Sequence, residues 1–231
     1  MVKLFSLGAI LIMAAFFVEC NGNNNQAADN KVNKEGTATD TSSSTEAVKT
    51  ILFFGNSLTA GYGLDPTEAF PSLIQAKIDS MDLPYKSVNA GVSGETSAGG
   101  NSRIDWILKQ PVDVFVLELG ANDGLRGIPV TETKKNLQSI IDKVKAKYPQ
   151  AKMVLAGMQV PPSMGQKYAE DFRKMFPDLA KKNDMALVTF LLEGVGGIRE
   201  LNQADAIHPT AAGAKIVAEN VWTVLQPVLQ Q

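Results

Sequence analysis

The chemistry open to this chain rests on one serine, one histidine and a few short polar residues. Ser57 stands two positions beyond an apolar run that ends in glycine, Ile51-Leu52-Phe53-Phe54-Gly55-Asn56-Ser57. A buried strand delivers a nucleophile to the rim of a sheet in this way. A serine hydroxyl attacks poorly until a base removes its proton. His208 is the single histidine in the chain, so any histidine-dependent step must use it. It sits in Asp205-Ala206-Ile207-His208-Pro209-Thr210, where Asp205 can fold back within one turn to hold the imidazole tautomer. Asn122, in Gly120-Ala121-Asn122-Asp123-Gly124, carries an amide that could reach a developing oxyanion. Gly94, in the segment Asn89 to Thr96, would let a backbone N–H approach a ligand with no side chain in the way.

Each feature has a plainer explanation. Asn56 or Ser57 is a good helix N-cap. Asp205 or Thr210 could simply cap the final helix, Asn-Asp-Gly is turn chemistry, and Gly94 could be a loop glycine required by backbone geometry. No Gly-x-Ser-x-Gly surrounds Ser57, so the nucleophile elbow of the α/β-hydrolases is absent.

The elements that must position these residues follow from periodicity. Continuous apolar runs predict strands at Lys49 to Gly55, Tyr85 to Ala90, Val112 to Leu119, Lys152 to Gly157 and Ala186 to Leu191. Helices are expected over Pro66 to Met81, Thr96 to Lys109, Thr131 to Tyr148, Gln166 to Lys182 and Ala211 to Leu225. Gly99-Gly100 weakens the start of the second, and a break is expected near Pro177 in the fourth. Five strands separated by helices indicate an α/β domain with a mainly parallel five-stranded sheet. In such sheets ligands sit beyond the carboxyl ends of the strands, which is where the unusual residues fall.

The chain has 231 residues, 45% of them hydrophobic, enough for one packed domain. Its 22 basic and 24 acidic side chains nearly balance, and no basic patch with interleaved aromatics points to nucleic acid. A metal site built on histidines is not expected, nor is a cofactor.

Lys3 precedes an apolar stretch, Leu4 to Val18, of signal length and short for a membrane span. Residues 1–19 are read as an export signal. Cys20, the single cysteine, follows directly, an arrangement that resembles a bacterial lipoprotein signal with the cysteine as the acylation site. Residues 20–47 are rich in Asn, Ser, Thr, Ala and Gly and contain no aromatic residue, which predicts a disordered tether. Such a tether reaches roughly 30 Å. The folded domain is expected over 48–231, in an exported, periplasmic or outer-membrane-attached protein.

Taken together, Gly55-Asn56-Ser57-Leu58, Gly94, Gly120-x-Asn122-Asp123 and Asp205-x-x-His208-Pro209 occur in an order that resembles the GDSL-type or SGNH hydrolases. Gly61-Tyr62-Gly63-Leu64 and Leu117 through Gly127 are similar to the periplasmic thioesterase, lysophospholipase and arylesterase branch. The resemblance implies a flavodoxin-like three-layer α/β/α hydrolase acting on small or lipid acyl esters, with thioesters as an option. It implies Ser57 as nucleophile, His208 as base and then acid, and Asp205 as its orienting group. The backbone N–H groups of Ser57 and Gly94 and the Asn122 side chain would form the oxyanion hole. The family usually has aspartate where this chain has Asn56, a change that removes a charge beside the nucleophile. Glu118, a carboxylate inside an apolar strand, is expected to play a structural hydrogen-bonding role. The loop Gln159 to Gly165 is expected to border the acyl pocket, and its apolar content favours an acyl chain over a sugar. The competing functions are a carbohydrate O-acetylesterase with the same chemistry, a peptidase, and a tethered binding module with a silent site.

Overall fold

The structure is a computed structural model that describes residues 47–230. The expected signal, Cys20 and nearly all of the expected tether lie outside the described residues. Five strands form one sheet: β1 (Lys49–Gly55), β2 (Tyr85–Gly91), β3 (Val114–Glu118), β4 (Lys152–Ala156) and β5 (Ala186–Val188). Their order is β2-β1-β3-β4-β5, and every neighbouring pair is parallel. Parallel strands require crossovers, and helices supply them.

Successive side chains of β1 point to opposite faces, so both faces must be covered. Phe53 meets Phe70 of α2 (Phe70–Ser80) edge-to-face at 5.7 Å, while Phe54 packs on Phe115 at 5.7 Å on the other side. α2 packs with α7 (Ala211–Leu229) on the first face. α3 (Ser97–Ile107), α5 (Val130–Lys147) and α6 (Gln166–Asn183) pack in series on the second. The result is the expected three-layer α/β/α architecture. The free edge of β2 is occupied by Gln75, whose amide donates to the Tyr85 carbonyl at 3.2 Å and accepts from the Ser87 N–H at 2.5 Å. That side chain blocks strand addition at this edge.

Several expectations need correction. Pro66 to Met81 is two elements: Asp65 caps a short 3-10 turn over Pro66–Glu68, and α2 begins afresh at Phe70. α6 runs unbroken through Pro177. Pro177 and Arg173, whose carbonyl loses its partner, are both exposed, so water can take that bond while Phe172, Met175, Phe176 and Leu179 remain packed. Gly99 and Gly100 lie inside α3, where Gly100 serves close packing; a methyl there would press on Leu119 and Phe54. The fifth strand stops at Val188, because the chain then turns and Leu191 donates to the Gly157 carbonyl at 2.9 Å. α7 continues to Leu229, with Val228 and Leu229 buried. The expected turn at Gly120–Gly124 is a helical turn, α4 (Ala121–Leu125).

Strand order reverses direction between β1 and β3. A crevice opens at such a switch point, and Ser57 and Asn122 follow those two strands.

Candidate active site

β1 ends at Gly55, and the chain enters the one-turn helix α1 (Ser57–Ala60) at once. Asn56 is its N-cap: the side-chain Oδ1 accepts from the Leu58 N–H at 2.9 Å. With Asn56 capping, the Ser57 hydroxyl is left for other partners. It lies 2.8 Å from His208 Nε2 and 3.4 Å from Asn56 Oδ1.

His208 reaches Ser57 from a loop closed by backbone pairing. Asn202 and Pro209 form an isolated antiparallel bridge, and the Gln203 N–H donates to the His208 carbonyl at 2.7 Å. Between them, Ala206 adopts φ +58°. That twist brings Asp205 back onto His208. Asp205 Oδ2 lies 2.6 Å from His208 Nδ1, and Oδ1 accepts from the Ile207 and His208 N–H groups at 2.9 and 3.0 Å. The bond to the His208 side chain, followed by those two backbone N–H groups, holds the Asp205 carboxyl down at about 2. It is therefore ionised throughout the neutral range. Thr210, not Asp205, caps α7, accepting from the Gly213 N–H at 3.3 Å.

The loop after β2 is anchored from three directions. The Asn122 amide donates to the Glu95 carbonyl at 2.9 Å, and Arg126 Nη2 donates to the Gly94 carbonyl at 3.1 Å. The Glu95 carboxylate pairs with Arg103 through two bonds of 2.6 Å. Arg103 lies over the Phe54 ring at 4.1 Å and also donates to the Ala90 carbonyl at 2.7 Å. Gly94 has φ +79°, a conformation that favours glycine, although a methyl there would meet no atom within 4 Å. An asparagine amide has two N–H donors, so Asn122 keeps one for a ligand.

Ser57, Asn122 and His208 share the wall of one cavity of about 510 Å³. Met158, Val160, Pro161, Phe190 and Leu192 make much of the remainder, and the loop after β4 contributes as expected. Asp205 stands behind His208. Gly94 is joined to this wall through Glu95 and Asn122. A hydroxyl, an imidazole and a carboxylate in hydrogen-bonded series can move a proton off Ser57 as it attacks.

Residues 53–216 match the model of the GDSL-like Lipase/Acylhydrolase family. The chain belongs to that family. It is 41% identical to Esterase TesA of Pseudomonas aeruginosa over 79% of this chain and 90% of that protein. Identity is 37% to Thioesterase 1/protease 1/lysophospholipase L1 of Escherichia coli, over 79% of this chain and 86% of that protein. Among solved structures, a crystal structure of TesA superposes with a TM-score of 0.75 at 40% identity, covering 78% of this chain and 99% of that one. As a GDSL hydrolase with esterases among its relatives, this protein is a carboxylic ester hydrolase.

Sequence reasoning assigned no task to Tyr62, Gln203, Glu95, Arg103 or Arg126 around the GDSL site. The Tyr62 ring lies 4.6 Å from the His208 ring, centroid to centroid. Gln203 Nε2 bridges the Tyr62 and Pro209 carbonyls at 2.7 and 2.9 Å, tying the Ser57 turn to the His208 loop. The one available signal was the Gly61-Tyr62-Gly63 pattern, in which both glycines have positive φ.

Proposed function

We propose that this protein is a serine esterase that cleaves acyl esters through a covalent acyl-enzyme, with Ser57, His208 and Asp205 as its triad. The observation that carries the reading is the hydrogen-bonded series Ser57–His208–Asp205, with separations of 2.8 and 2.6 Å, whose Ser57 and His208 lie on the wall of a largely apolar cavity. His208 Nε2 takes the Ser57 proton as Oγ attacks the acyl carbonyl. Asp205 keeps the other ring proton on Nδ1 and stabilises the imidazolium. The oxyanion is met by the free N–H of Asn122 and by the backbone N–H groups of Ser57 and Gly94. His208 then protonates the leaving alcohol or thiol. A water, deprotonated by the same nitrogen, releases the acid and restores Ser57.

The apolar wall favours an acyl chain, and the P. aeruginosa and E. coli relatives are named esterase and thioesterase/lysophospholipase. A rate series on p-nitrophenyl esters from acetyl to palmitoyl, with Ser57→Ala as blank, tests this. The expected profile has kcat/KM higher for medium chains than for acetate. A strict preference for acetate would favour an O-acetylesterase instead.

The same reading places the enzyme outside the cytoplasm, held to a membrane by acylation at Cys20. The support is the apolar stretch Leu4 to Val18, which ends one residue, Glu19, before that single cysteine. Metabolic labelling with a fatty acid checks it: label should attach to the parent chain and not to Cys20→Ser. Equal labelling of both would remove the anchor.

A further inference from the structure

Glu118 closes β3 and is fully buried against the turn that carries Ser57. Three donors from that turn converge on its carboxylate. Asn56 Nδ2 donates to Oε1 at 2.7 Å; the Asn56 N–H and the Thr59 hydroxyl donate to Oε2 at 3.0 and 2.8 Å. Gly55 completes the fit, since a methyl there would press on both the Thr59 hydroxyl and the Glu118 carboxylate. Among the described residues no charged side chain bonds Glu118. The ionisable groups nearest along the network are Arg103, which reaches the Gly55 carbonyl at 3.4 Å with Glu95 as its partner, and His208 beyond Ser57. Neutral donors alone therefore hold this buried carboxylate.

An amide has a donor end and an acceptor end, and a carboxylate only accepts. Glu118 thus decides which way round Asn56 lies: Nδ2 faces the carboxylate, and Oδ1 faces the Leu58 N–H and the Ser57 hydroxyl. We propose that Glu118 is a positioning residue for Ser57, acting through Asn56, and that positions 56 and 118 form a donor–acceptor pair exchangeable as a unit. The inference rests on Ser57 being the nucleophile. An aspartate at 56 would meet Glu118 carboxylate to carboxylate, joined only by a retained proton. Asparagine makes the bond without that proton.

The exchange gives a definite test. In Glu118→Gln one end of the side chain becomes a donor, which must face either Asn56 Nδ2 or the Asn56 backbone N–H, so one of those two bonds is lost. In the double variant N56D/E118Q the pair is reversed. The new amide at 118 donates to the new carboxylate at 56, whose second oxygen still caps Leu58. The amide oxygen at 118 still accepts from the backbone N–H at 56 and from Thr59.

The full chain and its Glu118→Gln, Asn56→Asp and double variants are compared at pH 8. The readouts are kcat and KM on p-nitrophenyl butyrate, the rate at which a fluorophosphonate labels Ser57, and the melting temperature. Glu118→Gln should lose about tenfold or more in kcat and labelling rate with KM little changed. The double variant should recover most of that loss, a coupling of tenfold or more between neighbouring sites. A residue that only supports the fold would lower the melting temperature and leave the labelling rate of the folded protein unchanged. The proposal is overturned if Glu118→Gln labels at the parental rate. It is also overturned if the double variant is no better than Glu118→Gln in labelling and melting, including the case in which neither folds. A parent that takes no label overturns the serine-esterase reading itself, and this proposal with it.

Discussion

The Tyr62 ring lies against the imidazole of His208, 4.6 Å between centroids at 42°, while about half of the tyrosine remains exposed. In the proposed mechanism His208 takes the serine proton and becomes a cation, and an aromatic face stabilises a nearby cation by about 0.5–2 kcal/mol. Tyr62→Phe keeps the ring and should stay within about twofold of the parent in kcat. Tyr62→Leu should lose about 2- to 30-fold by the same magnitudes. Steady-state rates on one activated ester decide it; equal losses in both variants would assign the effect to the hydroxyl.

One Asn122 amide N–H holds the Glu95 carbonyl at 2.9 Å, and in the proposed mechanism the other faces the reacting carbonyl. Asn122→Ala should cost about 100- to 1000-fold in kcat with KM changed only a few-fold. A raised KM with unchanged kcat would make Asn122 a substrate-binding group instead.

Ala206 sits between Asp205 and His208 with φ +58°, where a side chain strains the backbone. Ala206→Gly should leave the melting temperature unchanged or slightly higher. Ala206→Val should destabilise the protein by about 1–3 kcal/mol and, through the displaced loop, reduce activity. Urea unfolding together with kcat measures both effects.

Glu118 has an acid–base signature of its own. Burial, only partly opposed by the bonds from Thr59 and Asn56, pushes its carboxyl from 4.5 up to about 7. The folded protein therefore holds this proton more tightly than the unfolded chain. The stabilisation is complete below about pH 4.5 and is lost as pH rises to about 7, a change on the order of 3 kcal/mol. Urea unfolding at pH 5 and pH 8 should show a larger loss in the parent than in Glu118→Gln. Equal losses would exclude Glu118 as the source.

The interior strands β1 and β3 were legible because each is covered on both faces and reads as a nearly continuous apolar run. β5 was read too long because the apolar run Phe190-Leu191 continues past its last sheet bond. Pro177 misled because a proline rule looks along the chain, while exposure of that helix face is a tertiary fact. Short motifs single out Ser57, Asp205, His208 and Asn122 as the candidate site residues. No such motif marks their supports, because those partners lie far apart in sequence. Gln203 and Tyr62 are separated by 141 residues, and Arg126 and Gly94 by 32. Local periodicity carries no trace of such contacts. Asn56 read as a loss of charge until the Glu118 carboxylate 2.7 Å from its amide made it a hydrogen-bond donor.

The proposed reaction requires Ser57 to be an activated nucleophile, and a fluorophosphonate probe tests that directly. Intact-mass and peptide mass spectrometry on the folded protein should find one adduct, on Ser57, with ester hydrolysis lost in proportion. His208→Ala should slow that labelling by several orders of magnitude, because the serine loses its base. Full ester hydrolysis with Ser57 unmodified, or labelling unaffected by the loss of His208, would contradict it.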